Sequence, residues 1–163
     1  MLVVHNHQPL GNLPHVFRKA HDVAYSPFLD VIEKHPGIRW ALHSSGCLWE
    51  WIEKEEPEYL KRLKKQLAGG RLEILTGGMW EPIQPLIHEA SFHHQFAMMN
   101  RFLKDTFDVV PVGSWTTERV WEPAMASRLN RAGVRYTLLD DSQLRAGLPD
   151  PDKYTPAWSG KIG

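Results

Sequence analysis

Short apolar runs that favour strands alternate along this chain with longer segments that have helical periodicity. We predict strands at residues 2–7, 38–45, 72–78 and 136–141, with a fourth in chain order running from Val109 towards Glu118. The five alternations of strand and helix predict an α/β fold with a parallel sheet and right-handed crossovers.

Helical periodicity is clearest between Glu89 and Phe107, where a stripe of large apolar residues predicts a face buried in the core: Phe92, Phe96, Met99 and Leu103. Ser26 and Pro27 favour a helix start, with Ser26 as the N-cap. Further helices are predicted at residues 48–52, 59–67 and 123–132. The chain is expected to become loop-like after Asp141, with no further element at residues 148–152.

Composition narrows the class of protein. With 163 residues the chain has the size of one domain, and nineteen basic residues balance nineteen acidic ones. That balance gives no electrostatic footprint for nucleic acid or an anionic membrane. The single cysteine, Cys47, excludes an internal disulfide and a cysteine-rich zinc site, and we expect a small buried hydrophobe there. No run approaches a membrane span or a signal peptide, so we expect a cytoplasmic protein.

Polar side chains collect where the predicted strands end: His5 and His7, His43, Glu81, Glu118, and Asp140 with Asp141. Such a distribution is typical of a barrel whose active face lies at the C-terminal ends of its strands. His5 and His7 share one strand face, where they could hydrogen-bond sugar hydroxyls or bind a metal. Glu73 lies inside an apolar strand, where a carboxylate is costly unless it is paired or faces a cavity.

The segment from Ser114 to Pro123 combines two tryptophans with Glu118 and Arg119. Indole faces stack on sugar rings, and a carboxylate can attack an anomeric carbon, so a carbohydrate site is one interpretation. The alternative is a strand-to-helix turn with packed indoles and a solvated Glu118–Arg119 pair. Arg119 could also keep Glu118 ionised. The seven tryptophans and nine histidines of the chain suit a carbohydrate site better than an ordinary core.

Three motifs resemble, in order and spacing, the first three conserved regions of glycoside hydrolase family 57; they occupy residues 5–9, 70–75 and 115–123. Residues 136–141 look like the segment that follows in that family. The resemblance extends from His5 to about Gly147, and it is strongest to the 4-α-glucanotransferase and α-amylase branch.

The resemblance implies an incomplete (β/α)7 TIM-like barrel, of which residues 1–163 would be the N-terminal part with about five β/α units. It implies retaining chemistry on α-1,4-glucans such as maltodextrin, starch or glycogen, with no nicotinamide, flavin or catalytic metal. Glu118 matches the nucleophile, whereas His5, His7, Glu73 and Trp115 match positions that line the glucosyl subsite. The family's general acid/base is an aspartate in a fourth region, which we expect beyond residue 163. Residues 85–91 depart from the family pattern.

Several functions fit this resemblance, because the sequence does not decide between hydrolysis and transfer to another sugar. A 1,4-α-glucan branching enzyme of the same family is a further alternative. A metal-dependent polysaccharide deacetylase also uses strand-end histidines, but the first strand offers His-Asn-His without a paired aspartate. An inactive glucan-binding fragment is the last alternative. The sequence does not indicate an oligomeric state.

Overall fold

The computed structural model describes residues 2–146; the predicted loop at 148–152 lies outside these residues. Strands β1 to β3 form one parallel sheet in the order β1-β2-β3, and β4 pairs in parallel with β5. Their bounds are Leu2–Asn6 (β1), Trp40–Ser44 (β2), Leu72–Ile74 (β3), Gly113–Ser114 (β4) and Tyr136–Thr137 (β5). A parallel bridge between Thr76 and Ser114 connects the two groups. The predicted α/β class and parallel pairing are confirmed, although every strand is shorter than expected.

Burial differs between the strands of the first sheet. All five residues of β2 are buried, as expected for a strand with neighbours on both sides. In contrast, β1 has one strand neighbour in this sheet, and most of its residues are half-buried or exposed. The central strand β2 therefore anchors the sheet.

Seven α-helices surround the strands in residues 2–146. They are Pro14–Ala20 (α1), Ser26–Lys34 (α2), Gly46–Glu55 (α3), Pro57–Ala68 (α4), Glu89–Phe107 (α5), Ala124–Arg131 (α6) and Asp141–Ala146 (α7). A π-helical turn, His21–Tyr25, joins α1 to α2 without a break. The prediction that Ser26 is an N-cap was wrong, because Tyr25 and Ser26 both have helical backbone angles. The helical run instead starts at Pro14, whose missing N–H suits a first turn.

The predicted loop after Asp141 is also corrected, since α7 begins there. The Gln143 side chain accepts a hydrogen bond from the Asp140 backbone N–H at 3.1 Å, and the Gln143 N–H donates to the Asp140 carbonyl at 3.0 Å. These two bonds form one half of a capping box and the first turn that it stabilises.

Two apolar clusters make up the core. The larger one packs α2, α3 and α4 against the sheet, and it contains Leu29, Trp40 and Trp49. The smaller one joins α5 to α6 through Phe92, Phe96, Met125, Leu129 and Val134. The predicted stripe of α5 is confirmed, because its four residues are at most 1 % exposed. No helix between residues 2 and 146 has the length and apolar character required to cross a membrane.

Cys47 differs from the prediction of a buried hydrophobe. It is half-buried near the N-terminus of α3, and its Sγ lies 2.8 Å from the carbonyl oxygen of Gln8. The thiol therefore acts as a hydrogen-bond donor to the loop after β1.

Candidate functional site

Strand register brings three of the singled-out polar residues to one face of the first sheet. His5 of β1 lies opposite His43 of β2. Two residues earlier in the register, Val3, Ala41 and Glu73 lie in one row across the three strands. Because side chains alternate along a strand, Glu73 faces the same side as His5 and His43, one layer further from the C-terminal edge.

A cluster of three histidines surrounds the carboxylate of Glu81 at that edge. The Nδ1 atoms of His5 and His43 are 2.9 Å apart. Glu81 Oε1 lies 3.4 Å from His5 Nε2 and 3.5 Å from His43 Nδ1. Glu81 Oε2 is hydrogen-bonded to Nδ1 of His7. The cluster therefore connects His5 with His7 through a carboxylate that is only 4 % exposed.

Glu81 was not singled out as a site residue from the sequence. The available signal was its place among the polar residues that follow predicted strands, in the turn after β3. Its backbone φ of 48° lies in the left-handed region, which is uncommon for glutamate. Strained backbone of this kind is concentrated at functional sites.

Burial dominates the electrostatics of this cluster. Burial, assisted by the nearby His7, lowers the pKa of His5 to about 4, and it holds the pKa of His43 well below its usual value. Burial also raises the pKa of the Glu81 carboxyl; the hydrogen bond from His7 opposes this shift, and the charge of Glu118 adds to it. Both kinds of shift favour neutral side chains, so the centre of the cluster resists carrying charge.

Trp115 lies beside the cluster, on the loop after β4. Its indole stacks on the His5 ring with centroids 4.4 Å apart and planes 16° from parallel. Its backbone N–H donates to the Thr76 carbonyl at 2.8 Å, and its carbonyl accepts from the Gln84 side chain at 3.1 Å. These bonds hold the backbone from which the indole projects.

Glu118 does not extend a strand, as the sequence suggested, but lies in the 3₁₀ turn Thr117–Arg119. Its φ of 52° and that of Arg119, 53°, are both left-handed. The Arg119 guanidinium forms an ion pair with Asp140 at 3.1 Å, and the Arg119 carbonyl accepts a hydrogen bond from the Gln143 side chain. The turn that carries Glu118 is therefore tied to the start of α7.

A cavity of about 220 Å³ opens at this point and is lined by His5, Trp115, Glu118 and Arg119. Three of the predicted site residues thus line one cavity, although they come from two distant segments of the chain. His7 joins them through Glu81.

Glu73 is not among the lining residues of the cavity. Its Oε1 accepts a hydrogen bond from the Tyr136 hydroxyl at 2.5 Å. Burial and the neighbouring Glu73 raise the pKa of Tyr136, so the phenol stays protonated and remains a donor. Of the two situations that make a carboxylate tolerable inside an apolar strand, pairing with another group is therefore the one that applies to Glu73.

Comparison with known proteins gives relatives over nearly the whole chain. The chain is 38% identical over 161 residues to the α-amylase of Pyrococcus horikoshii, which covers 98% of this chain and 25% of that protein. It is 37% identical over 154 residues to α-amylase 1 of Dictyoglomus thermophilum, covering 94% of this chain and 22% of that protein. The chain therefore spans about a quarter of the length of these relatives.

A solved structure resembles this chain at nearly the same sequence identity. The crystal structure of 4-α-glucanotransferase from Thermococcus litoralis superposes with a TM-score of 0.85 at 36% identity, covering 91% of this chain and 24% of that chain. The family model of glycosyl hydrolase family 57 matches residues 1–161. On this match over nearly its full length, together with the motifs that surround the cavity, the chain belongs to glycosyl hydrolase family 57.

Proposed function

We propose that this chain is part of a retaining glycoside hydrolase or transglycosylase that acts on α-1,4-glucans, with Glu118 as the nucleophile. The relatives are named α-amylase and 4-α-glucanotransferase, which supports an α-glucan as the substrate. The observation that carries the proposal is the cavity in which the Glu118 carboxylate lies beside the Trp115 indole and the His5 imidazole.

The chemistry of retention requires a carboxylate that attacks the anomeric carbon and a second group that protonates the leaving oxygen. Glu118 is exposed at the cavity and can reach a bound sugar. The volume of about 220 Å³ is below the roughly 300–1,000 Å³ of pockets for drug-sized ligands, so it suits a single sugar ring.

His5, His7, Glu73 and Trp115 are proposed to shape the glucosyl subsite. Neutral imidazoles can donate to and accept from sugar hydroxyls, and burial keeps His5 neutral. Trp115 supplies an aromatic surface next to the nucleophile. Glu73 is proposed to support the subsite from one layer deeper in the sheet. It shares the sheet face of His5, and its carboxylate is held by the Tyr136 hydroxyl.

The complete catalytic domain is proposed to be an incomplete (β/α)7 barrel, of which residues 1–163 form a part. This chain covers 24% of the T. litoralis structure, so the remaining strands of the proposed barrel would come from the rest of such a chain. The general acid/base is proposed to be an aspartate outside this sequence, as the family resemblance implies. Glu81 is a poor candidate for that role, since its carboxylate is held among three histidines and is 4 % exposed.

The test uses the natural polypeptide that contains these residues, incubated with maltoheptaose while shorter and longer maltodextrins are measured. Glu118→Gln is expected to lower turnover at least about 1,000-fold, because the covalent intermediate cannot form. Glu122→Gln is the matched control: it changes an exposed glutamate four residues away, outside the cavity lining. Turnover of Glu118→Gln within tenfold of the unchanged protein would end the assignment.

The products distinguish the possible activities of the family. Shorter maltodextrins alone indicate hydrolysis, a mixture of shorter and longer chains indicates transfer, and new α-1,6 linkages indicate branching. Membership of glycosyl hydrolase family 57 argues against the deacetylase alternative.

A further inference from the structure

His5, His7 and Glu81 each present one ligand atom such that all three atoms lie within 4.8 Å of one another. We propose that these residues form a binding site for one divalent cation of the zinc class, with two imidazole nitrogens and one carboxylate oxygen as ligands. No catalytic step is assigned to the cation, and Glu118 is not among its ligands, although His5 also lines the cavity of the proposed nucleophile.

The separation of the ligand atoms suits a small tetrahedral ion. His5 Nε2 and Glu81 Oε1 are 3.4 Å apart, close to the spacing of two atoms that each lie roughly 2.0–2.2 Å from a central zinc ion. His7 Nδ1 is already hydrogen-bonded to the other carboxylate oxygen. A cation would take the place of the hydrogen in this bond.

His43 contacts the ring nitrogen of His5 that would not bind the cation, and so orients the His5 imidazole. Its Nδ1 lies 2.9 Å from His5 Nδ1, and in the tautomer in which His5 Nδ1 carries the proton, that N–H donates to His43 and the Nε2 lone pair of His5 is available to a cation beside Glu81. Metal-binding histidines usually donate the second ring N–H to a carboxylate, a backbone carbonyl or a water, which fixes the tautomer and the ring orientation, and His43 Nδ1 would be the acceptor here. His43 is fully buried, so this partner is rigid.

Glu81 provides a second, independent indication. Its Oε1 is buried and accepts no hydrogen bond from any group in residues 2–146. A buried carboxylate oxygen without a donor is costly, and a cation is a group that would satisfy it. The turn of Glu81 is held by its N–H, which donates to the Gly78 carbonyl at 3.0 Å.

The composition of the cluster selects the cation. Imidazole suits zinc, copper and nickel, whereas magnesium and calcium prefer sets made only of oxygen ligands. The His7 side chain is 46% exposed, so the ion has an entry path and water can complete its coordination.

The experiment measures metal binding directly and requires neither glucan nor activity. The purified chain is treated with chelator, dialysed and titrated with Zn²⁺ by calorimetry, and with Co²⁺ by visible absorption. We expect one Zn²⁺ per chain and the absorption bands of Co²⁺ bound to nitrogen and oxygen. His7→Ala and Glu81→Gln are expected to weaken the binding at least about tenfold, as loss of a ligand or its support does.

His94→Ala is the matched control, because His94 is an exposed histidine on α5 that does not belong to the cluster. Circular dichroism of each variant establishes that it is folded, and His7→Gln replaces His7→Ala if the latter is not. Absence of stoichiometric Zn²⁺ binding would overturn the proposal. Equal affinity of the cluster variants and the control would also overturn it, since the cation would then be held elsewhere. Loss of activity in Glu118→Gln bears on the proposed nucleophile alone.

Discussion

We predict that Tyr136 can reach Glu73 only because residue 113 is a glycine and has no side chain. The two residues lie opposite each other in the parallel pair β4 and β5. A methyl group at position 113 would come 2.2 Å from Tyr136 Cζ, 2.4 Å from its hydroxyl oxygen and 2.7 Å from Leu75 Cδ2. Tyr136 can avoid this clash only by rotating away, which breaks its 2.5 Å hydrogen bond to Glu73.

Two costs of Gly113→Ala can be estimated from this geometry. Overpacking against the fully buried Leu75 costs about 1–3 kcal/mol. Loss of a hydrogen bond to a carboxylate adds about 1.5–3 kcal/mol. We therefore expect the free energy of unfolding to fall by about 2.5–6 kcal/mol, a large part of the roughly 5–15 kcal/mol of a typical domain.

Urea unfolding followed by tryptophan fluorescence measures this change. Gly37→Ala is the control, because a methyl group there meets nothing within 4 Å and the backbone has no positive φ. In a Tyr136→Ala background, Gly113→Ala should cost at least about 1.5 kcal/mol less, since the ring is gone. If Gly113→Ala costs the same in both backgrounds, the contact with Tyr136 is not the cause and the reasoning fails.

Two further predictions concern the core around α5. Phe96→Ala should lower the free energy of unfolding by about 3–5 kcal/mol, because the ring is 1% exposed. The control Val110→Ala, at a residue 78% exposed, should change it by less than about 0.5 kcal/mol. Similar values for the two variants in urea unfolding would contradict this prediction. Arg128→Met should cost about 2–4 kcal/mol, since the buried guanidinium donates to two main-chain carbonyls at 2.9 and 3.0 Å and covers the Phe92 ring. Arg131→Met, at an exposed arginine of the same helix, is its control, and thermal unfolding at equal midpoints for both variants would refute the prediction.

The elements that the sequence predicted well are those whose signals are local. The helix α5 has its apolar stripe at three- and four-residue spacing, and its predicted bounds agree with the structure. The parallel pairing followed from the alternation of strand and helix. The N-cap role of Ser26 was wrong because a cap residue is a signal only where a helical run starts, and the chain before Ser26 is already helical.

The site was only partly predictable, for a physical reason. The meeting of His5 and His43 follows from parallel strands that end at one edge, and this can be deduced from a strand pattern. The burial of Glu81 between them depends on how a turn folds back over that edge, and no local spacing encodes it. The conformation of Glu118 is similarly non-local, since the Arg119–Asp140 ion pair and the Gln143 side chain connect its turn to α7.

The backbone of Glu118 leads to a last prediction, in which stability and the proposed chemistry oppose each other. Glu118 has a φ of 52° and a ψ of 12°, a left-handed conformation that costs roughly 1–2 kcal/mol for most residues and less for asparagine. Glu118→Asn should therefore be about 0.5–1 kcal/mol more stable than Glu118→Gln. Both variants lack the carboxylate and differ in their tolerance of this backbone. Paired urea unfolding curves measure the difference, and a less stable Glu118→Asn would show that the turn stores no strain at this residue. A more stable one would mean that the fold holds a carboxylate at the cavity against the preference of its own backbone, as expected where position matters more than stability.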